Sequence, residues 1–228
     1  MTYKKHIAIR YLLYFVLVFI VGDLQGQVPV HQEPFHRPVF ENGEVRILNV
    51  VIAPGDTSLY HLHSTPSVFI FLSSTATGTQ LQGKGQVSMK FKTGSILFED
   101  LGAPNTRVHR VWNEDRENLH VMDVELLSNA KGFKAAPLPQ FKLEVDTPWV
   151  RAYRVVLEKD KELALKGKKN SFILVSGEPA SVEVKQAGKF QPEMLKKGSY
   201  FNVKRKQSFN LKNTSADPVQ LVLLELPQ

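Results

Sequence analysis

The chain has 228 residues, with 29 Lys and Arg against 22 Asp and Glu, a formal charge of +7 and 43% hydrophobic residues. That balance is globular rather than disordered, and the length allows one large domain or two small ones. Cysteine is absent, which excludes disulfides, thiolate metal sites, iron–sulfur clusters and cysteine nucleophiles.

Residues 1–26 have the layout of a secretory signal peptide. Lys4, Lys5 and Arg10 form a basic start, an uninterrupted apolar run follows from Tyr11 to Val21, and Leu24-Gln25-Gly26 suits a cleavage site. The run is about half of the roughly 20 apolar residues that a membrane-spanning helix needs. The expectation is therefore export and cleavage, giving a secreted or periplasmic protein that begins at Gln27 and has no stable membrane insertion. With no cysteine after the apolar run, lipoprotein anchoring is excluded. The remaining chain holds 26 basic and 21 acidic residues, and the excess lies from Gln140 onward, where 16 basic face 10 acidic residues.

After residue 26 no amphipathic helix is evident. Short runs rich in Val, Ile, Leu, Phe and Tyr fall at 45–52, 68–72, 87–91, 96–98, 108–112 and 119–127. A second set falls at 150–157, 172–175, 182–184, 200–203 and 219–226, and Gly, Pro, Asn and Asp punctuate both. Such spacing predicts an all-β barrel or sandwich. The prolines and small residues of 131–139 mark a linker between a 27–130 and a 140–228 domain.

The two sets repeat each other. Val45-Arg46 matches Val150-Arg151 at an offset of 105, Gly94-Ser95 matches Gly198-Ser199 at 104, and Asn113 and Glu125-Leu126 match Asn213 and Glu225-Leu226 at 100. A slowly drifting offset predicts two copies of one unit, a tandem pair of small β-barrels.

The chemistry concentrates in the histidines. In His61-Leu62-His63, residues two apart on a strand share a face, so both imidazoles can reach one ion. His109 opens the run His109-Arg110-Val111-Trp112-Asn113 on a later strand. Three neutral imidazoles suit Fe, Mn, Ni, Cu or Zn better than Mg or Ca, and leave positions free for water or substrate.

These residues resemble the motifs of the cupin superfamily. Gly55, His61 and His63 fit the opening of the first motif, while Gly94, Gly102, His109 and Asn113 fit the second. The resemblance covers most of residues 40–128, and the internal repeat extends it over 145–228. It implies two tandem cupin-type β-barrels, a bicupin, with one divalent transition metal held by His61, His63 and His109. The sequence departs from the family pattern at the motif glutamate, whose position falls near Ser67 or Val68. Asp100 replaces a proline, and six residues instead of two separate Gly102 from His109. A three-histidine set resembles that of oxygenase cupins, with Glu99 or Asp100 as substitute ligands. In the second copy, His61, His63 and His109 correspond approximately to Lys166, Lys168 and Phe209, so that barrel is expected to hold no metal.

Other residues are weighed against packing. Phe69 and Phe71 share the histidines' parity and belong either to a pocket wall or to the core. Arg107 is an exposed arginine or a substrate-carboxylate ligand, and Glu99 a weak catalytic candidate beside it. Trp112 and Phe98 are expected in the core, Asn113 at a turn and His120 as a satisfied structural histidine. His31 and His36 lie in a proline-bearing N-terminal arm and carry no expected role. The basic clusters Lys166-Gly167-Lys168-Lys169 and Lys204-Arg205-Lys206 are solvated loops or an anion-binding face. No nucleic-acid-binding motif is found. The expected partner is a small-molecule ligand or substrate, and a homodimer is compatible because cupin barrels pair edge to edge. Three functions remain open: a dioxygenase-like oxidoreductase, with a lyase or isomerase close behind; a non-catalytic binder of a sugar or other small ligand; and a structural or interaction protein whose histidines are relics.

Overall fold

A computed structural model describes residues 27–186 and 188–228; the signal-peptide reading of 1–26 lies outside the described residues. The chain opens with β1 (Val28–Pro29) and a 3-10 turn (Val30–Gln32). Nine strands follow: β2 (His36–Glu41), β3 (Val45–Ile52), β4 (His61–His63), β5 (Ser67–Phe71), β6 (Ala76–Leu81), β7 (Gln86–Lys90), β8 (Ile96–Glu99), β9 (Arg107–Asn113) and β10 (Leu119–Leu126). They form two sheets, ordered β1-β4-β9-β6-β7 and β2-β3-β10-β5-β8.

The second set comprises β11 (Lys142–Asp146), β12 (Arg151–Leu157), β13 (Glu162–Leu165), β14 (Ser171–Ser176), β15 (Ala180–Gln186), β16 (Lys189–Leu195), β17 (Tyr200–Val203), β18 (Phe209–Asn213) and β19 (Val219–Leu226). Its sheets are ordered β11-β12-β19-β14-β17 and β13-β18-β15-β16. Strand for strand this is the order of the first set, lacking only a counterpart of β1. The protein is all-β, two barrels of one design. Residues 127–141, between the two sets, contain no strand or helix.

The repeat extends to single atoms. Asn113 Nδ2 donates to Ile52 O (2.9 Å) and Glu117 O (2.7 Å), and Asn213 Nδ2 donates to Leu157 O (2.8 Å) and Asp217 O (2.9 Å). Both side chains close the turn that leads into the last strand of their barrel, the role expected for Asn113. Gly94 and Gly198 both turn with positive φ, +82° and +80°, a conformation that glycine adopts without steric cost.

Side-chain alternation explains why the central strands read as nearly unbroken apolar runs. On β3 and β10, Leu48, Val50, Ile52, Leu119 and Val121 face the interior of the first barrel. The alternate residues Val45, Ile47, Met122, Val124 and Leu126 face outward, against Val150, Ala152, Ile173, Val222 and Leu224 of the second barrel. Such a sheet is buried on both faces, which demands apolar residues at consecutive positions. Phe98 joins this shared core, its ring centroid 5.8 Å from that of Trp149. The hairpin strands β6 and β16 escaped the sequence reading because Thr, Gln, Glu and Lys fill them; their ladders are made by backbone groups, whatever the side chains.

Candidate metal centre

The short strand β4 is held in place from both sides. Its register with β9 sets His61 opposite His109 and His63 opposite Arg107, and β1 pairs with it in parallel, Val28 beside His61. The period of two then turns His61 and His63 inward together, both fully buried. Their ring centroids are 5.0 Å apart, and that of His109 lies 4.7 Å from His61 and 5.0 Å from His63. The three histidines singled out by motif are thus brought to one point.

A fourth imidazole joins them. His36, at the start of β2, has its ring centroid 4.4 Å from that of His61. His36, His61 and His63 each offer a ring nitrogen such that all three atoms lie within 4.8 Å of one another. The expectation that His36 has no role is therefore corrected. Its arm is not a loose leader: Glu33 folds back on the turn, accepts from His36 Nδ1 (2.6 Å), Phe35 N (2.8 Å) and Leu59 N (3.1 Å), and so ties the arm to the start of β4. The only local signal was an acid three residues before a histidine. The long separation in sequence from His61 hid the rest.

Hydrogen bonds fix which nitrogen carries the lone pair in His61, His36 and His109. His61 Nδ1 lies 2.9 Å from Leu59 O, which can only accept, so His61 Nε2 carries the lone pair; that atom is buried and has no partner. The Glu33 carboxylate likewise takes the Nδ1 proton of His36. Thr79 Oγ1 donates to Arg110 O (3.3 Å) and so accepts from His109 Nδ1 (3.1 Å), which leaves the lone pair on His109 Nε2. Holding the remote nitrogen on a carboxylate, carbonyl or hydroxyl is how proteins orient metal-binding histidines. His63 Nε2 is 3.1 Å from His109 Nε2. Two nitrogens each about 2.0–2.1 Å from one ion sit roughly 2.8–3.4 Å apart at octahedral to tetrahedral angles, so the pair is already spaced for a common metal.

Electrostatics point the same way. Burial, followed by the neighbouring imidazoles, lowers the pKa of His61 to about 4 and of His109 to about 2, and pushes that of His63 well below its ordinary value. These rings are neutral donors at neutral pH. Burial alone would raise the pKa of Glu33, but its bonds to His36, Leu59 N and Phe35 N outweigh that and keep it ionised. One negative charge is thereby fixed beside a histidine that faces the cluster. The donor set, with an unpartnered buried nitrogen at its centre, fits a transition-metal ion.

The substitute ligands do not join this group. Glu99 is engaged by Arg107 (2.6 Å), and Asp100 Oδ1 accepts from Gly102 N (3.3 Å). At the missing-glutamate position Ser67 faces the first barrel's interior, whereas Val68 is in the inter-barrel core. Arg107 is half-buried and paired rather than free. His120 is satisfied, its Nε2 2.7 Å from Asn49 Oδ1. Trp112 is half-buried, its indole lying over Gly78 and Nε1 donating to Glu114 (2.8 Å).

A cavity of about 230 Å³ opens beside the histidines. Phe69 and Phe71 do line it, with Val50, Ile52 and Val121; Phe71 stacks on Phe91 at 3.8 Å. In the second barrel the equivalent register places Leu165 opposite Phe209, as His61 stands opposite His109. The counterpart of His61 is therefore Leu165, one residue from the Lys166 that the repeat offset indicated, and both residues belong to a closed apolar core.

Comparison with known proteins agrees with this architecture. AerE from Microcystis aeruginosa superposes with a TM-score of 0.60 at 12% identity, covering 86% of this chain and 99% of its own. A salicylate 1,2-dioxygenase variant from Pseudoaminobacter salicylatoxidans, in complex with gentisate, gives 0.58 at 14% identity over 93% of this chain and 79% of its own. A cupin 2 conserved barrel domain protein from Leptotrichia buccalis gives 0.53 at 11% identity, covering 83% and 87%. No protein-family model matches the sequence. No curated protein matches it either. At these identities the likeness is one of fold. The chain has the cupin fold, arranged as a bicupin with a candidate metal centre in its first barrel.

Proposed function

We propose that this protein is a metal-dependent cupin that acts on a small organic molecule in its N-terminal barrel, with dioxygenase-like oxidation as the reaction. The metal would be held by His61, His63 and His109, with His36 as a further ligand from the arm. The observation that carries the reading is the set of fixed ring nitrogens: Leu59 O, Glu33 and Thr79 each hold one nitrogen of an imidazole whose other nitrogen is left free for the cluster. A bound first-row ion supplies Lewis acidity and, where redox-active, electron transfer with dioxygen. The chain's own part is to hold the ligands rigidly, keep water from the apolar walls and present the substrate beside the imidazoles. The gentisate-bound dioxygenase supports the reaction class by analogy of fold, no more.

Elemental analysis of the untagged protein tests the metal. One equivalent of Fe, Mn, Ni, Cu or Zn is expected, lost in a His61→Ala/His63→Ala variant; equal loading of that variant refutes the site. Oxygen uptake by the Fe(II)-loaded protein over a panel of small aromatic compounds tests the reaction. The absence of any uptake favours the second reading, a non-catalytic small-ligand binder, which Ser67 in place of the motif glutamate also supports. We further propose export, on the strength of the pattern in residues 1–26. Mass spectrometry of the protein from its native cells is expected to find a chain beginning at Gln27.

A further inference from the structure

One buried acid is not used by the metal centre as described. Asp123 lies in the middle of β10, fully buried, and neither carboxyl oxygen has a hydrogen-bond partner. It is part of the lining of the 230 Å³ cavity. His63 Nδ1 is 3.8 Å from its Oδ2, too far for a hydrogen bond. Ser67 lies on the same interior face but makes no hydrogen bond of normal geometry to it, donating instead to Thr65 O at 3.4 Å. Two residues on, Glu125 faces the same interior yet is fully engaged by Arg46 (2.8 Å) and Thr65 (3.0 Å). An unpartnered buried carboxyl costs stability, so it needs a reason to be there.

The second barrel shows that the fold does not require it. Asp123 pairs with Leu48 on β3 and Phe69 on β5; at the same register Leu223 pairs with Tyr153 and Leu174. Leu223 is fully buried in that barrel's apolar core. The scaffold closes equally well with leucine, and the barrel that keeps the carboxyl is the one that keeps the cavity and the histidines.

The rest of the cavity limits what could meet this group. Its walls beside Asp123 are Phe69, Phe71, Val50 and Val121, and the cationic Arg107 is already matched by Glu99 at 2.6 Å. Without a bound ion, an anionic ligand would find no free positive side chain in that lining. A cavity of about 150 Å³ is enough to hold benzene, so 230 Å³ holds one ring with one or two small substituents. We propose that Asp123 is a substrate-anchoring residue, and that the ligand is a small uncharged aromatic or alicyclic molecule whose hydroxyl hydrogen-bonds to the Asp123 carboxyl while its ring fills the apolar wall. This deepens the metal-cupin reading by naming the substrate class of the same site, and it stands on the cavity rather than on the ion.

Calorimetric titration of the full chain, metal-loaded and metal-free, with p-cresol, toluene and benzoate tests the assignment. p-Cresol is expected to bind more tightly than toluene in both forms, with benzoate the weakest of the three in the metal-free form. Asp123→Leu, the residue found at the equivalent position of the second barrel, should weaken p-cresol by at least about tenfold, the usual scale for a lost hydrogen bond to a carboxyl. It should leave toluene binding and metal content unchanged. Asp123→Asn, which keeps an acceptor oxygen, should hold p-cresol within a few fold of the parent. Unchanged p-cresol affinity in Asp123→Leu overturns the proposal. So does loss of metal together with ligand in both variants, which would make Asp123 a positioning residue for His63. A parent protein that carries no metal yet still prefers p-cresol through Asp123 refutes the metal reading alone.

Discussion

His36, His61 and His109 are each held by one residue behind the ring, and Glu33 behind His36 is the most direct to test. Glu33→Gln replaces an ionised acceptor by a neutral amide at the back of His36 and also weakens the tie to Leu59 N. The expected result is a loss of about 10- to 100-fold in metal affinity, read by competition with a chromophoric chelator, with the β-sheet circular dichroism unchanged. His61, His63 and His109 were legible from motif spacing because period-two alternation and a glycine-marked strand leave few alternatives. His36 and Asp123 were not. The arm reaches the site only through the parallel pairing of β1 with β4 and the Glu33 bonds, neither of which has a periodic signature. Asp123 did leave a trace, an acid of inward parity between the apolar Met122 and Val124. At Asn113 and Asn213 the reverse holds: one turn geometry, repeated, made the same side chain recognisable twice. Asn213→Ala, which strands two carbonyls, should cost about 1–3 kcal/mol by chemical denaturation.

Individual strands acquire meaning from which neighbour covers each face. On β12, Arg154 reaches across to the first barrel: Nη2 donates to Gly94 O (2.6 Å), while Nε and Nη2 donate to Glu144 on β11 (both 2.8 Å). Those bonds from Arg154 hold the Glu144 carboxyl below its ordinary pKa of 4.5. A carboxyl with a depressed folded-state pKa stabilises the fold above its unfolded pKa and loses that contribution as pH falls through the folded value. Glu144→Gln should therefore melt below the parent near neutrality, and the two melting temperatures should converge as the pH drops below about 4.5. Parallel melting curves from pH 3 to 7 would remove Glu144 from the account. The basic loops behave as elements too: Lys206 N donates to Lys168 O (2.7 Å), so the two clusters noted in sequence form one surface.

At the scale of the whole molecule the two barrels act as each other's partner. A Cβ on Gly94 would lie 3.1 Å from Arg154 of the second barrel; one on Gly198 would lie 3.1 Å from Met122 and 3.3 Å from Leu72 of the first. Equivalent turns thus press on opposite copies, the reciprocity expected of a two-fold pair built into one chain. Because Val68, Ile70, Ile173 and Leu224 share one apolar core, unfolding either barrel exposes the other. Calorimetry should find a single cooperative transition. Ile173→Ala, about 2–5 kcal/mol destabilising, should lower that transition and the temperature of metal release together. Two resolved transitions, with metal release unaffected, would show the barrels to be independent.

The sequence by itself determined the strand content, the tandem repeat and three of the histidines. Those features are local or periodic: alternation, turn residues and a fixed offset between copies can be read along a line. Only the tertiary structure decided that His36 joins the cluster, that Glu99 is spoken for by Arg107, that Leu165 occupies the His61 position of the second barrel, and that Asp123 faces a cavity without a partner. Each of these depends on the register between strands distant in the chain, where a shift of one residue turns a side chain from core to cavity.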